Sequence, residues 1–201
     1  MSEFLTRHHA LEGFLTLPET NTTESKPVKV DILTNIQHVN IRGDSDNDVF
    51  LQAVKSVFGV SLPVIANTVV RDAHTIYWMG PDEWLVQSYE SAAGLIEKFR
   101  DQETARGSTA VDVSDGSVMF RISGERAVDV LARGCTLDLH PQKFSNGQCA
   151  QTAIARTSVL LTSSAGDSAF EIVVRRTFAE YLALWLRHAA AEFGVKFSAI
   201  E

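Results

Sequence analysis

The sequence predicts an α+β fold built from two similar halves with antiparallel sheets, and two observations indicate it. Strand-like and helix-like patterns follow the same order in each half: strand, helix, strand, strand, helix. A Gly-x-Gly-x-x-Gly segment after a strand and a P-loop are both absent, so nothing points to a parallel nucleotide-binding sheet. This order favours antiparallel sheets with helices packed on one side.

The first half extends from about residue 38 to about residue 100. A short alternating strand is predicted at 38–42, and residues 43–47 supply turn residues and helix N-caps. A helix follows at about 46–58, where Gly59 ends it. Strands are then predicted at about 67–71 and 74–79, and a strand-like segment at 83–88 leads to a helix at about 91–100 whose apolar side is Leu95, Ile96 and Phe99.

The second half repeats this order. Strands are predicted at 109–113 and 117–122, a helix at about 124–133, and strands near 149–155, 157–163 and 169–174. The final helix has the strongest start signal, because Thr177 and Glu180 have the spacing of a capping box. Gly194 ends that helix, and its predicted buried stripe is Phe178, Leu182, Trp185, Ala189 and Phe193.

Residues 1–37 differ in composition, so we divide the chain into a polar N-terminal arm at 1–37 and a single α+β domain at 38–201. Residues 17–27 are Thr-rich, contain Pro18 and Pro27, and show no helical or strand periodicity. Such a segment buries too little apolar surface to offset its ordering entropy. The arm is therefore expected to be flexible or to lie along a partner.

Composition restricts the class of protein. Of 201 residues, 45% are hydrophobic and 21% are charged, which is typical of a soluble globular protein. No apolar run reaches the roughly 18 residues that span a bilayer, and the first residues lack a secretory signal pattern, so we expect a cytoplasmic protein without membrane contact. The net charge of −7 argues against nucleic-acid binding. Two cysteines do not form a disulfide scaffold.

The segment Cys135-Thr-Leu-Asp-Leu-His-Pro141, followed by Cys149, raises the question of metal or thiol chemistry. Zinc sites usually present paired ligands two to four residues apart, whereas these cysteines are fourteen apart. Asp138 and His140 could share a ligand, bond the loop backbone or meet a partner subunit, while Leu137 and Leu139 anchor the segment. Neither cysteine has the positive surroundings of a reactive thiolate, so a small zinc protein and a thiol enzyme are both weakly supported.

Structural or solvent-facing roles are expected for the remaining candidates. His8 and His9 lie in the arm, His38 and His74 stand at strand starts, and His188 follows Arg187 on the polar side of the last helix. Trp78 and Trp84 flank Gly80-Pro81, and we expect two core tryptophans beside a tight turn rather than a cofactor platform.

Several segments resemble a known family in order and spacing. They are Tyr77-Trp-Met-Gly-Pro-Asp-Glu-Trp-Leu85, Val111-Asp-Val-Ser114, Ile122-Ser-Gly124, Cys135-x-x-Asp-Leu-His-Pro141 with Phe144 and Gly147, and the stretch 170–194. Over about residues 38–195 the chain resembles the gamma subunit of heterotetrameric sarcosine oxidase, a relative of the folate-binding domain of aminomethyltransferases such as the glycine-cleavage T-protein.

The resemblance implies an oxidoreductase complex that converts sarcosine to glycine, hydrogen peroxide and formaldehyde, or methylenetetrahydrofolate when folate is present. In that family the alpha subunit carries NAD and the tetrahydrofolate site, the beta subunit carries FAD and FMN, and the delta subunit binds zinc. The gamma subunit has no assigned cofactor. The implied partners are therefore the alpha, beta and delta subunits.

The folate-binding relatives carry an Asn-x-x-Gly-Gly stretch and paired aspartates where this chain has residues 148–161, which contain no carboxylate; the nearest is Asp167. Acid–base work on folate needs a positioned ionisable group. We therefore expect a non-catalytic subunit that supports assembly, with no catalytic, cofactor-binding or metal-binding residue. Two alternatives remain: a gamma-type subunit of an N-methylglutamate dehydrogenase-like complex, and a free-standing tetrahydrofolate-binding aminomethyltransferase-like protein.

Overall fold

The computed structural model describes residues 10–11, 28–102, 107–164 and 169–200. The strands are β1 Val28–Leu33, β2 Gln37–Arg42, β3 Val69–Arg71, β4 Thr75–Gly80, β5 Glu83–Ser88, β6 Thr109–Asp112, β7 Ser117–Ser123, β8 Cys149–Ile154, β9 Thr157–Ser164, β10 Ala169–Arg175 and β11 Val195–Ile200. The helices are α1 Asp48–Phe58, α2 Ala92–Arg100, α3 Ala127–Ala132 and α4 Ala179–Ala189, with 3-10 turns at Ser114–Gly116 and Arg176–Phe178. No helix of this described part is long and apolar enough to cross a membrane.

The architecture has four layers, with two sheets stacked between two pairs of helices. The five-stranded sheet has the order β3-β4-β5-β2-β6, and the six-stranded sheet has the order β11-β1-β7-β10-β9-β8. Helices α1 and α2 share an apolar core with the five-stranded sheet, and α3 and α4 share another with the six-stranded sheet. A smaller apolar cluster joins the facing sides of the two sheets. The predicted α+β class with antiparallel sheets is confirmed.

The two halves have the same strand order except for one strand, β1, that is inserted in the second sheet. The order β3-β4-β5-β2-β6 of the first sheet corresponds to β8-β9-β10-β7-β11 in the second. β2 pairs directly with β6, whereas β1 lies between β7 and β11. β1 is antiparallel to β7 and parallel to β11, the one parallel pair among the described strands. The strand predicted at 109–113 is β6, which completes the sheet of the first half instead of opening the second half. β11 is missing from the sequence prediction because it is an edge strand in which only Val195 is buried.

The structure places the start of the folded region before residue 37. Val28–Leu33 falls within the predicted polar arm, yet Val28, Val30 and Ile32 are buried against α3 and α4. Their alternation is a strand signal that the polar sequence ahead of it masked. Leu11 is also buried in this core. Apart from Ala10 and Leu11, the residues of the arm before Val28, including His8 and His9, lie outside the described residues, so the arm's contact with a partner stays a prediction.

The predicted start of the last helix is wrong. A 3-10 turn follows β10, so α4 begins at Ala179 after Phe178, and no side-chain cap bond is present. Thr177 and Glu180 therefore do not form a capping box. The turn also changes which face is buried: Phe178 is exposed, and the buried side chains are Ala179, Leu182, Ala183, Leu186 and Ala189. Trp185 and Phe193 are partly buried against the same core.

An ion pair joins the two sheets beside the apolar cluster. Arg71 on β3 donates to Glu171 Oε2 on β10 at 3.2 Å and to Thr162 Oγ1 on β9 at 3.0 Å. The side chains of Arg71 and Glu171 are 28% and 15% exposed, so the pair is largely removed from water. Removing one partner of such a pair leaves a poorly solvated charge.

We therefore expect Glu171→Ala to lower the free energy of unfolding by about 2 kcal/mol, less than for a fully buried pair because Arg71 keeps some solvent contact. Urea denaturation measures the loss. Glu97→Ala, which removes an exposed carboxylate from α2, is the control and should change stability by less than about 0.5 kcal/mol. Equal unfolding midpoints for both variants would show that the ion pair does not hold the sheets together.

Candidate functional site

The segment from Cys135 to Pro141 forms a corner between α3 and β8. The amide of Cys135 donates to the carbonyl of Leu131 at 2.8 Å, which continues the end of α3. Cys135 also forms an isolated antiparallel bridge with Ile154, the last residue of β8. Leu139 is buried and Leu137 is partly buried in the core beneath α3 and α4. The two leucines therefore anchor the corner as expected.

The polar residues of the corner bond to its own backbone. Asp138 Oδ1 accepts from the amide of His140 at 3.0 Å, and His140 Nδ1 accepts from the amide of Gln142 at 3.3 Å. The carbonyl of His140 accepts from the amides of Lys143 and Phe144. Both Asp138 and His140 are exposed. The interpretation that these two side chains fix the loop backbone is confirmed.

The structure separates the four residues considered for zinc. Cys149 begins β8 and Cys135 lies opposite its last residue, so the cysteines are roughly 16 Å apart along the strand. The Cys149 thiol donates to the carbonyl of Thr68 at 3.3 Å, and burial raises its pKa to about 11. Among the described residues, no three His, Cys, Asp or Glu side chains lie close enough to hold a metal ion. Neither thiol is placed for nucleophilic chemistry.

The segment from Val111 to Ser114 connects the end of β6 to the start of β2. Asp112 Oδ1 accepts from the amide of Ser114 at 2.9 Å and from its hydroxyl at 2.5 Å. Ser114 Oγ in turn accepts from the amide of His38 at 3.0 Å. These hydrogen bonds hold the turn after β6, at the edge of the five-stranded sheet, against the backbone of His38.

His38 is buried next to a cleft of about 280 Å³, and the sequence did not predict this position. Its side chain is 2% exposed, Nδ1 lies 3.1 Å from Ser117 Oγ, and Nε2 is buried without a hydrogen-bond partner in the part of the chain that the structure describes. Burial lowers the pKa of His38 to about 4, against the smaller opposing effect of Asp112. Val39 and Ile41 of β2 occupy the helix side, so the His38 side chain lies on the opposite face of the sheet.

His38 should make stability depend on pH. Its pKa in the folded chain is about 4, against 6.5 for an ordinary histidine. The unfolded chain therefore binds the extra proton first, and stability is full above pH 6.5 and falls as the pH drops toward 4, by up to about 3 kcal/mol. His38→Gln should flatten the fall in urea-unfolding free energy between pH 7 and pH 4.5.

The control for this measurement is His188→Gln, which changes an exposed histidine on α4. It should retain the full pH dependence, including the part that carboxylates contribute. Equal slopes for the His38 and His188 variants would contradict a buried neutral His38.

Two clefts meet at the start of β7. One has a volume of about 280 Å³ and is lined by the link between β1 and β2, by His38, by Ser114 and Ser117, and by Arg176. The other, of about 410 Å³, is lined by Ser117, Gln151, Leu160 and Arg175 among others. Both open along the space between the two sheets. The lining of the first cleft also includes the carboxylate of Asp115.

The other sequence candidates lie in the core or outside the described residues. Trp84 is fully buried and donates to the carbonyl of Pro63 at 2.8 Å, and Trp78 is partly buried against the same core, so the expectation of two core tryptophans is confirmed. His74 is buried, which agrees with a structural role. Residues 148–161 form most of β8 and β9, and Asp167 lies outside the described residues.

The fold is that of an aminomethyltransferase-like protein. The structure aligns with the glycine cleavage system aminomethyltransferase T from Bartonella henselae at a TM-score of 0.59 and 14% identity, covering 86% of this chain and 48% of that chain. An aminomethyltransferase from Saccharopolyspora erythraea is 29% identical over 130 residues, which is 63% of this chain and 35% of that protein. The match to the Bartonella structure is a likeness of fold alone.

A more specific match defines the family. Residues 42–192 match the model of the sarcosine oxidase, gamma subunit family, and the chain belongs to this family. The sarcosine oxidase subunit gamma of Corynebacterium sp. strain U-96 is 30% identical over 143 residues, or 70% of this chain and 69% of that protein. A chain of the heterotetrameric sarcosine oxidase from Corynebacterium sp. U-96, solved with pyrrole 2-carboxylate, aligns at a TM-score of 0.81 and 25% identity over 93% of this chain and 96% of that one.

Proposed function

We propose that this chain is the non-catalytic gamma subunit of a heterotetrameric sarcosine oxidase and supports assembly of that complex. The observation that carries the proposal is the family match over residues 42–192, together with an alignment that covers 96% of a chain in a heterotetrameric sarcosine oxidase. Because nearly the whole chain aligns with one subunit of that complex, we expect it to have the same role as that subunit.

The chemistry of the described side chains supports a structural role. The side chains of Asp138 and His140, which were considered for metal binding, accept hydrogen bonds from backbone amides of their own loop. The thiol of Cys149 has a raised pKa and bonds a carbonyl, which disfavours the thiolate. His38 Nδ1 lies beside the hydroxyl of Ser117, and its Nε2 has no hydrogen-bond partner in the described part of the chain, so no carboxylate orients the ring from that side. A serine–histidine pair without a third, orienting group and an oxyanion site is weak support for catalysis.

The proposed role implies particular partner subunits, cofactors and a cellular location. Its partners are the alpha, beta and delta subunits, and FAD, FMN, NAD, zinc and tetrahydrofolate are carried by those subunits. The whole complex oxidises sarcosine to glycine, with formaldehyde or methylenetetrahydrofolate and hydrogen peroxide as the other products. Two free cysteines suit a reducing compartment, so the proposed location is the cytoplasm, with neither a nucleic-acid nor a membrane partner.

Sarcosine oxidation by cells that express all four subunits, or all except this one, tests the role. We expect the full set to yield a purifiable oxidase, the set without this chain to yield an unstable or incomplete one, and the chain alone to show no turnover. An intact and fully active oxidase without this chain would refute the proposal. Replacing sarcosine by N-methylglutamate in the same assay tests the alternative substrate.

The likeness to aminomethyltransferases favours one second candidate, a tetrahydrofolate-binding protein. Against it, residues 148–161 lack the carboxylates and the Asn-x-x-Gly-Gly stretch of the folate-binding relatives. Calorimetric titration of the isolated chain with tetrahydrofolate distinguishes the two, because a non-catalytic subunit should release no saturable heat. Micromolar binding would favour the second candidate.

A further inference from the structure

The sequence contains one pair of adjacent basic residues, Arg175-Arg176, in a chain with a net charge of −7. The structure places the pair where β10 ends and the 3-10 turn Arg176–Phe178 begins. Arg175 is exposed and Arg176 is half-buried. Two adjacent cations repel one another, so their placement together on an acidic protein indicates a surface suited to negative charge.

The arginine pair lies between the two clefts. Arg176 lines the cleft of about 280 Å³, Arg175 lines the cleft of about 410 Å³, and Ser117 borders both. Ser117 is also the residue opposite Arg175 in the pairing of β7 with β10. The clefts therefore share Ser117 at the end of the six-stranded sheet, and each has one arginine in its lining. The first cleft also contains Asp115, and the second is lined in part by apolar side chains such as Leu160 and Val173. Arginine suits such a site because it binds carboxylates through two parallel hydrogen bonds.

Apolar side chains continue this surface onto α4. Phe178, Tyr181 and Leu184 are 44%, 38% and 48% exposed. Residues three apart on a helix are neighbours, so these side chains follow one another along the outer surface that begins two residues after Arg176. Large side chains exposed in succession mark an interaction surface more often than single exposed ones do.

We propose that the Arg175–Leu184 surface, consisting of Arg175, Arg176, Phe178, Tyr181 and Leu184 with the clefts at Ser117, binds an acidic segment of another oxidase subunit. Carboxylates of that segment pair with the two arginines, and its apolar side chains cover Phe178, Tyr181 and Leu184. The inference rests on the proposed function, since it names the surface by which the subunit is held. A small free carboxylate would use the arginines and leave the three apolar side chains exposed to water.

A competition experiment in the complete complex tests the surface. Cells express the other subunits together with equal amounts of the full-length wild-type chain and a full-length variant, and mass spectrometry of the purified oxidase gives the ratio of the two. We expect Arg175→Glu to be incorporated about tenfold less than the wild type, because reversal replaces an attraction by a repulsion. Leu184→Asp should show a similar loss.

Matched variants separate docking from folding. Arg175→Lys keeps the positive charge and should recover most of the incorporation, and Lys55→Glu makes the same charge change on α1 and should be incorporated like the wild type. Arg176 also has an interaction within the chain, so the variants at Arg175 give the cleaner comparison. Thermal unfolding of each isolated chain confirms that the variants are folded.

The outcomes distinguish the two proposals. If the wild-type chain does not enter the oxidase, the proposed function fails. If the wild-type chain enters and Arg175→Glu enters equally well, the proposed surface is wrong while the function stands. Glycine is the small-carboxylate probe: saturable binding to the isolated chain that Arg175→Glu abolishes, with incorporation unchanged, would assign the clefts to a small ligand and overturn the docking proposal.

Discussion

Val30→Asp is expected to abolish cooperative folding or to lower the free energy of unfolding by more than about 4 kcal/mol. Val30 is fully buried in the core beneath α3 and α4, on a strand that has a neighbour on each side. A carboxylate at this position loses its hydration and gains no partner, which is among the most costly of single substitutions. Circular dichroism and urea denaturation measure the effect.

The neighbouring residue supplies the control. Lys29 is exposed on the same strand and lies opposite Lys196 in the pairing with β11, so Lys29→Asp replaces a repulsion by an attraction. It should leave stability within about 0.5 kcal/mol of the wild type. A Val30→Asp chain that unfolds like the wild type would mean that residues 28–33 belong to a dispensable arm, as the polar composition of the N-terminal segment suggests.

Trp84→Ala is expected to cost about 4 kcal/mol of unfolding free energy. The Trp84 side chain is fully buried on β5, its ring lies 5.8 Å from that of Phe50, and its indole N–H donates to the Pro63 carbonyl. Alanine therefore leaves a large cavity and an unpaired carbonyl. Thermal and urea unfolding give the loss.

Two variants define the origin of that loss. Trp84→Phe fills much of the cavity but lacks the N–H, and should cost about 2 kcal/mol. Trp185→Ala removes a tryptophan of α4 that is only partly buried, so it should cost less than Trp84→Ala. Equal losses at the two positions would contradict the assignment of Trp84 to the centre of the five-stranded sheet's core.

Most helices and hairpins follow from the sequence because their signals are local. The helix predicted at 46–58 is α1, Asp48–Phe58, and Gly59 ends it with a φ of 67° that few other residues adopt without strain. Three elements do not follow. β1 is hidden by the polar stretch before it, β11 is an edge strand, and the start of α4 is shifted by a 3-10 turn that depends on how β10 ends.

The same distinction applies to the candidate site. The roles of Asp138 and His140 could be predicted because their bonds reach only two residues along the chain. The separation of Cys135 from Cys149 depends on the pairing of Cys135 with Ile154. The contacts of His38 with Ser114 and Ser117 join residues 76 and 79 positions apart, and no spacing rule reaches that far. Burial of a histidine is a property of the tertiary structure, so its pKa could not be predicted from the sequence.

Native mass spectrometry of the oxidase purified through a tag on this chain tests the central claim most directly. The proposed function predicts one copy of this chain in a complex with one copy each of the alpha, beta and delta subunits, and sarcosine oxidation that stays with that complex. A tagged chain that is recovered alone or only with copies of itself, while an active sarcosine oxidase is present in the same cells, would contradict it.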